Sequence, residues 1–189
     1  MGSMLEREIK LRFTTPDDAR AAVMGIGARA ASPRRFQDDA LYDTDDEALR
    51  RRRCVLRVRC EGECSVLTFK GPVQPGPMKL REELETGVAD GAVLQLVLDR
   101  LGLRVWFRYQ KYRQEFEGDG VVIAVDETPV GTFVEVEGTE PGITAAAAAL
   151  GRTTADYILD SYYALFQKSR EALGFRGPHM VFDEPDRIT

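Results

Sequence analysis

Charged side chains recur, mostly two residues apart, along seven segments of this chain: Glu6, Glu8 and Lys10; Arg57 and Arg59; Lys70, after Thr68; Arg81, Glu83 and Glu85; Lys111 and Arg113; Asp126; and Glu135 and Glu137. Residues two apart on a strand project from one face. On a single strand such alternation means only a solvated face. Across seven segments the opposite positions are apolar, with Ile9, Leu11, Leu56, Val58, Leu67, Phe69, Leu84, Val134 and Val136. This predicts a sheet that closes on itself, apolar outside and charged inside. The interior would hold seven basic residues (Lys10, Arg57, Arg59, Lys70, Arg81, Lys111, Arg113) and seven acidic ones (Glu6, Glu8, Glu83, Glu85, Asp126, Glu135, Glu137). Buried charges are costly unless paired or bound to ions. Clustered carboxylates repel one another and invite a hard divalent cation with oxygen ligands. Clustered arginines and lysines invite a polyanion, arginine through its bidentate fork. Together these imply a metal–polyphosphate site, in which a cation neutralises phosphate and carboxylate at once.

The elements that must position these residues are also legible. Leu5–Phe13 alternates as a strand should. Thr15-Pro16-Asp17-Asp18 is a helix start, with a hydroxyl cap, a first-position proline and acids in the first turn. A second extended segment runs from about Pro33 to Tyr42, and Asp43–Arg53 reads as polar and turn-like. Val55–Cys60 and Ser65–Lys70 form a hairpin around Glu61-Gly62-Glu63. A Pro- and Gly-rich loop, Gly71–Pro77, leads to a strand at Leu80–Thr86. Asp90–Leu101 has helical apolar spacing and Gly102 as its stop. Leu103–Glu117, Val121–Glu127 and Phe133–Glu137 are further strands. Ala145–Leu150 reads as a helix, and Thr153 or Thr154 as the cap of a last helix reaching about Leu173. The sum is an α+β chain, mainly antiparallel β, with eight strands escaping edge exposure by closing into a barrel and helices packed outside.

Composition narrows the function classes. The 189 residues suffice for one domain with a sizeable core, and 43% apolar with 30% charged content excludes disorder. No stretch approaches the roughly 20 apolar residues of a membrane span, and MGSMLEREIK lacks the apolar core of a secretory signal. The formal charge of −5 argues against a nucleic-acid partner while leaving room for a local basic pocket. Three cysteines, Cys54, Cys60 and Cys64, fit reduced thiols in a cytoplasm. With His179 as the sole histidine they do not make a zinc site, and Ser-His and Cys-His catalysis are largely removed.

Taken in order, these residues make the chain resemble the CYTH superfamily, the triphosphate tunnel metalloenzymes. Glu6-Arg7-Glu8-Ile9-Lys10 is similar to its E-x-E-x-K signature. The match continues through Tyr42-Asp43-Thr44, Leu56-Arg57-Val58-Arg59, Thr68-Phe69-Lys70-Gly71-Pro72, Arg81-x-Glu83-x-Glu85, Lys111-x-Arg113, Asp126 and Gly131-Thr132-Phe133-Val134-Glu135-Val136-Glu137. It spans about Met4 to Leu173 as one tunnel domain. Met1–Ser3 then reads as a cloning remnant and the tail from Gly174 as loosely ordered. The resemblance implies an eight-stranded tunnel in which Lys10, Arg57, Arg59, Lys70, Arg81, Lys111 and Arg113 grip a triphosphate. It implies Mg²⁺ or Mn²⁺ on Glu6, Glu8, Glu135 and Glu137, with Glu83 or Glu85 and Asp126 supporting a second ion.

The superfamily holds thiamine, inorganic and RNA triphosphatases and class IV adenylyl cyclases. Thiamine-specific members carry an aromatic just before the L-R-x-R run; here Val55 follows Cys54, which counts against that substrate. Tyr42 and Lys70 resemble the Tyr–Lys pair of the hydrolases. Nothing in the sequence specifies a pocket for adenine and ribose, and Trp106 reads as an outer-face packing residue. The expectation is a triphosphatase acting on tripolyphosphate or ATP, faster on tripolyphosphate. The alternative is a cyclase making cyclic AMP and pyrophosphate, and a non-catalytic polyphosphate-binding module ranks below both. A monomer or homodimer, with neither nucleic acid nor membrane as partner, completes the expectation.

Overall fold

The computed structural model describes residues 5–183; Met1–Ser3 and the last six positions of the tail lie outside the described residues. In chain order the elements are β1 (Leu5–Phe13), α1 (Pro16–Gly25), β2 (Arg29–Ala30), β3 (Arg35–Thr44), α2 (Ala48–Arg51), β4 (Val55–Glu61), β5 (Cys64–Lys70), β6 (Lys79–Val88), α3 (Gly91–Arg100), β7 (Leu103–Gly118), β8 (Val121–Thr128), β9 (Gly131–Gly138), α4 (Glu140–Ala149), a 3₁₀ turn (Thr154–Asp156) and α5 (Tyr162–Ser169). The sheet runs β7-β3-β4-β5-β6-β1-β9-β8 and closes through β7–β8, so eight antiparallel strands form a barrel. The two-residue β2 adds on β7 beyond the end of β3.

Alternation decides which side is which. Ile9, Leu11, Ile123, Val125, Val134 and Val136 face outward and are buried beneath Ala19 and Val23 of α1 and Ile143, Ala146 and Ala147 of α4. Side chains of these sizes contribute roughly 1.5–3 kcal/mol each when fully buried. Thr15 caps α1 by accepting from the Asp18 amide at 3.1 Å, as its sequence requires. On another flank α3 covers Val58 with Leu98. There Gly91 is obligatory in packing terms, since a Cβ would stand 2.1 Å from Ser65 Oγ.

A third cluster lies inside the barrel rather than outside it. Leu41, Phe107, Tyr109 and Phe133 share the inward parity of the charged rows, and Tyr162, Leu165 and Phe166 of α5 pack on them. α5 therefore plugs one end. The helix expected from Thr153 is broken before it, because Ile158 exchanges backbone hydrogen bonds with Lys10 (3.1 and 2.9 Å) and Ser161 supplies a new cap. Within the described residues the segment after Gly174 runs back to β7, where the Met180 amide donates to the Arg108 carbonyl at 3.0 Å. β8 pairs with β7 only over Tyr112–Gly118. Met180, fully buried, fills the open edge next to it, its carbonyl accepting from the Gln110 amide at 2.8 Å. The three cysteines are free thiols. Among the described residues no helix is long and apolar enough to cross a membrane.

Candidate active site

Register brings the charged rows together. Across β1 and β6, Glu6 faces Arg81 and Glu8 faces Lys79; across β1 and β9, Lys10 faces Glu135; across β5 and β6, Lys70 faces Glu83. Opposite charges so placed attract, and like charges repel. One like-charged pair stands among them: Glu8 directly opposite Glu137. The rows line a cavity of about 1040 Å³ that holds Lys10, Arg57, Arg59, Lys70, Arg81, Lys111 and Arg113 on its wall with Glu6, Glu8, Glu83, Glu85, Glu135 and Glu137. All seven expected phosphate-gripping residues and six of the seven expected carboxylates thus converge.

The cationic wall is built on three adjacent strands. Arg57 and Arg59 rise from β4, Lys111 and Arg113 from β7, and Asp39 on β3 lies between them. Asp39 is fully buried and takes Arg59 Nε at 2.9 Å, with Arg57 Nε at 3.4 Å. Burial opposes its charge, but Arg59 and Arg57 hold its carboxyl below the ordinary value. Arg57 reaches Glu85 and Thr68, each at 3.0 Å, while its Nε has no hydrogen-bond acceptor. Burial pushes Lys111 down to about 8, assisted by Arg113 and opposed by Asp126 and Glu135.

The carboxylate wall is held by lysines and arginines. Glu6 takes Lys70 at 2.7 Å and Arg81 at 3.1 Å; burial and Glu8 raise it, but these cations and a hydrogen bond with Glu83 bring it to about 2. Glu8 takes Lys10 at 3.1 Å and also Lys79, which outweigh its burial and hold it well below the ordinary value. Glu135 takes Lys10 at 3.2 Å and Arg113. Glu137 differs. It has no ion pair among the described residues, and burial together with Glu6 and Glu8 pushes it up to about 7. Glu83, raised by burial and its shared hydrogen bond with Glu6, also sits at about 7 although Lys70 lies 2.8 Å away.

Two expected residues are elsewhere. Tyr42 points out of the barrel and packs with Val58 and Leu98, so the Tyr42–Lys70 pair does not form. The reason is parity: Asp39 and Leu41 of β3 face inward, which turns Tyr42 to the helix side. Asp126 points inward but lies behind the cavity wall, fully buried, where it takes Lys111 (2.8 Å), Arg113 (2.6 Å) and the Tyr162 hydroxyl (2.5 Å). It is a structural hub with its oxygens engaged. Trp106 is corrected the other way: it lines the cavity. The β3–β7 register slips between Leu41↔Phe107 and Tyr42↔Val105, which leaves Trp106 as a bulge residue, and bulges re-aim side chains.

Sequence reasoning missed Lys79, Glu115, Tyr109 and Tyr162, all on the cavity wall. Lys79 and Glu115 carried a signal, being the next period-2 positions beside Arg81 and Arg113. Tyr162 carried none, because only the chain's return as α5 places it there.

A divalent cation fits the donor set. The oxygens of Glu6, Glu8, Glu135 and Glu137 are hard ligands, and the Glu8–Glu137 repulsion is what such an ion relieves. Among the described residues, however, no three acidic, histidine or cysteine side chains already stand in metal-holding geometry. Lysines and arginines occupy the carboxylates instead.

The chain has known relatives. A family model described as the CYTH domain matches residues 4–173. A protein of Methanocaldococcus jannaschii, provisionally named an adenylate cyclase, is 25% identical over 135 residues, which are 71% of this chain and 77% of that one. A solved structure from Vibrio parahaemolyticus, likewise provisionally named an adenylate cyclase, matches with a TM-score of 0.75 at 21% identity, covering 87% of this chain and 98% of that one. A third match, with a TM-score of 0.65 at 19% identity, is to a Hippeastrum protein provisionally named an adenylyl cyclase and described as having a dominant triphosphatase activity; it covers 87% of this chain and 96% of that one. At these identities the solved structures bear on the fold.

Proposed function

The chain belongs to the CYTH domain family, and from that premise we propose that it is a divalent-cation-dependent triphosphatase acting on a nucleoside triphosphate or inorganic triphosphate. The observation that carries this reading is the convergence of Arg57, Arg59, Lys111 and Arg113 on one wall of a deep cavity, opposite the row of glutamates. Arginine forks and a lysine suit a chain of phosphate oxygens. Glu6, Glu8, Glu135 and Glu137 would hold Mg²⁺ or Mn²⁺, with Glu83 and Glu85 beside them. When bound, the cation supplies charge neutralisation at the phosphoryl oxygens.

This chain's own residues then do the rest. Arg57, Arg59 and Arg113 bind and orient the phosphates. Arg113 is itself fixed by Asp126 and Glu135, so little reorganisation is needed as charge develops. Lys10, paired with Glu8 and Glu135, and Lys70, paired with Glu6 and Glu83, would turn to phosphate oxygens once a cation takes those carboxylates. Lys111 has its Nζ lowered to about 8, so it loses its proton more easily than an ordinary lysine, and in the neutral form it is the group suited to take a proton from an attacking water. α5 closes the end of the barrel and keeps bulk solvent from that side.

Cyclisation of ATP is the second reading. It is favoured by the aromatic wall at the plugged end, where Trp106 and Tyr163 line the cavity. Turnover of ATP and tripolyphosphate, with and without Mg²⁺ or Mn²⁺, tests the proposal. Cation-dependent orthophosphate release is expected. Tight binding without turnover would instead make the chain a polyphosphate-binding module.

A further inference from the structure

One end of this charged cavity is not charged. Beside α5 its wall is made of Leu41, Val55, Trp106, Tyr109 and Tyr163. We infer that Trp106 and Tyr163 form a subsite for the planar base of a nucleoside triphosphate. This rests on the triphosphate reading and adds the organic part of the substrate.

Three observations support it. First, Trp106 reaches the cavity only through the β7 bulge. Continued alternation from Lys111 and Tyr109 would put the indole outside. Second, the indole is already held. Tyr163 meets it edge-on at 4.9 Å and 78°. The Arg50 guanidinium lies 4.5 Å from the ring centroid and is itself anchored 3.1 Å from the buried Asp43 carboxylate. A stacking platform ordered in advance binds without paying for its own immobilisation. Third, the spacing suits a nucleotide. Val55 precedes Arg57, and Tyr109 precedes Lys111, by one inward step of two residues, which is roughly 7 Å along a strand. That leaves the depth of one sugar between the apolar end of the cavity and the first phosphate cation. The cavity, about 1040 Å³, lies at the upper end of the range for organic ligands and exceeds what a bare phosphate chain occupies.

A base subsite reverses the substrate order expected from the sequence, which rested on Tyr42 and Lys70 and on a missing base pocket. Its test uses ATP and tripolyphosphate as probes and the chain's single tryptophan as reporter. ATP should change the intrinsic fluorescence of the native protein and tripolyphosphate should not. By calorimetry Trp106→Ala should weaken ATP binding on the order of 10-fold or more, the scale of losing one stacked base, and leave tripolyphosphate within about twofold by the same argument. Trp106→Phe should recover most of the ATP affinity. Retained tripolyphosphate binding shows that the alanine variant is folded. If that variant does not fold, the fluorescence response and the phenylalanine variant decide. Equal loss for both ligands, or no loss for either, overturns the subsite while leaving the triphosphate reading intact. Failure of the native protein to bind either ligand overturns both.

Discussion

Glu137 and Glu135 look interchangeable in sequence, two glutamates on one face, yet their surroundings give them different work. Glu135 is tied to Lys10 and Arg113. Glu137 is paired with no cation among the described residues and is raised to about 7. Glu137→Gln should therefore keep or raise the melting temperature, while lowering Mn²⁺ affinity and, on the order of 100-fold, activity. Glu135→Gln should cost about 2 kcal/mol of stability, the scale of a charged hydrogen bond, measurable by denaturant titration. Unchanged Mn²⁺ affinity and full activity in the Glu137 variant would reject it as a ligand. The sign of the pH effect follows from the raised value: below about 7 the carboxyl is protonated, so protons compete with the cation and Mn²⁺ affinity should fall as pH drops from 8 to 6. Lys111 is shifted the other way, down to about 8. Turnover should rise with pH through that value as Nζ loses its proton. Lys111→Arg keeps the charge but cannot release a proton; it should lose that rising limb together with about 100-fold or more in kcat. A rising limb that survives in the variant would assign it to another group.

At the scale of elements, what decides the site is which face each strand turns inward. Alternation made β1, β4, β5, β6, β7 and β9 readable, because their inward and outward positions differ sharply in polarity. β3 was not readable in this way. Gln37 and Asp39 face in and Leu41 follows them, while Asp38 and Tyr42 face out, so neither side is uniformly polar or apolar. That is why Tyr42 was misassigned and Asp39 overlooked. Trp106 was missed for a related reason: a bulge inserts one residue and shifts the parity, and no local residue pattern marks it. α5 and the tail are a matter of long-range return. Their apolar residues had no visible partner in sequence and turn out to fill the barrel end and the exposed edge of β7. Phe166 is fully buried there against Phe107 and Phe175. Phe166→Ala should cost about 3–5 kcal/mol and weaken triphosphate binding, because Tyr162 on the same helix braces Asp126 and through it Lys111 and Arg113. A stability loss with unaltered affinity in the folded fraction would limit α5 to a structural part.

For the whole molecule, an acidic chain carries a cavity with one cationic wall and one carboxylate wall, and closure of the barrel sets both apart from the surface. Interior cations are shielded from the surface average, so the net charge of −5 says little about what the cavity attracts. The carboxylates lining the cavity from β1, β6 and β9 are held by lysines or arginines, except Glu137, which faces Glu8 and has no ion pair among the described residues. The spot where Glu8 faces Glu137 is the proposed place for a cation and the arginine wall the place for phosphates, and hydrolysis follows from a lysine that, once neutral, accepts a proton from water. The most direct test is to identify the phosphorus-containing products formed from ATP by phosphorus NMR, in the presence of Mg²⁺ or Mn²⁺. ADP and orthophosphate are expected in equal amounts, formed only when the cation is present. Cyclic AMP and pyrophosphate as the main products would contradict it and make the chain a cyclase.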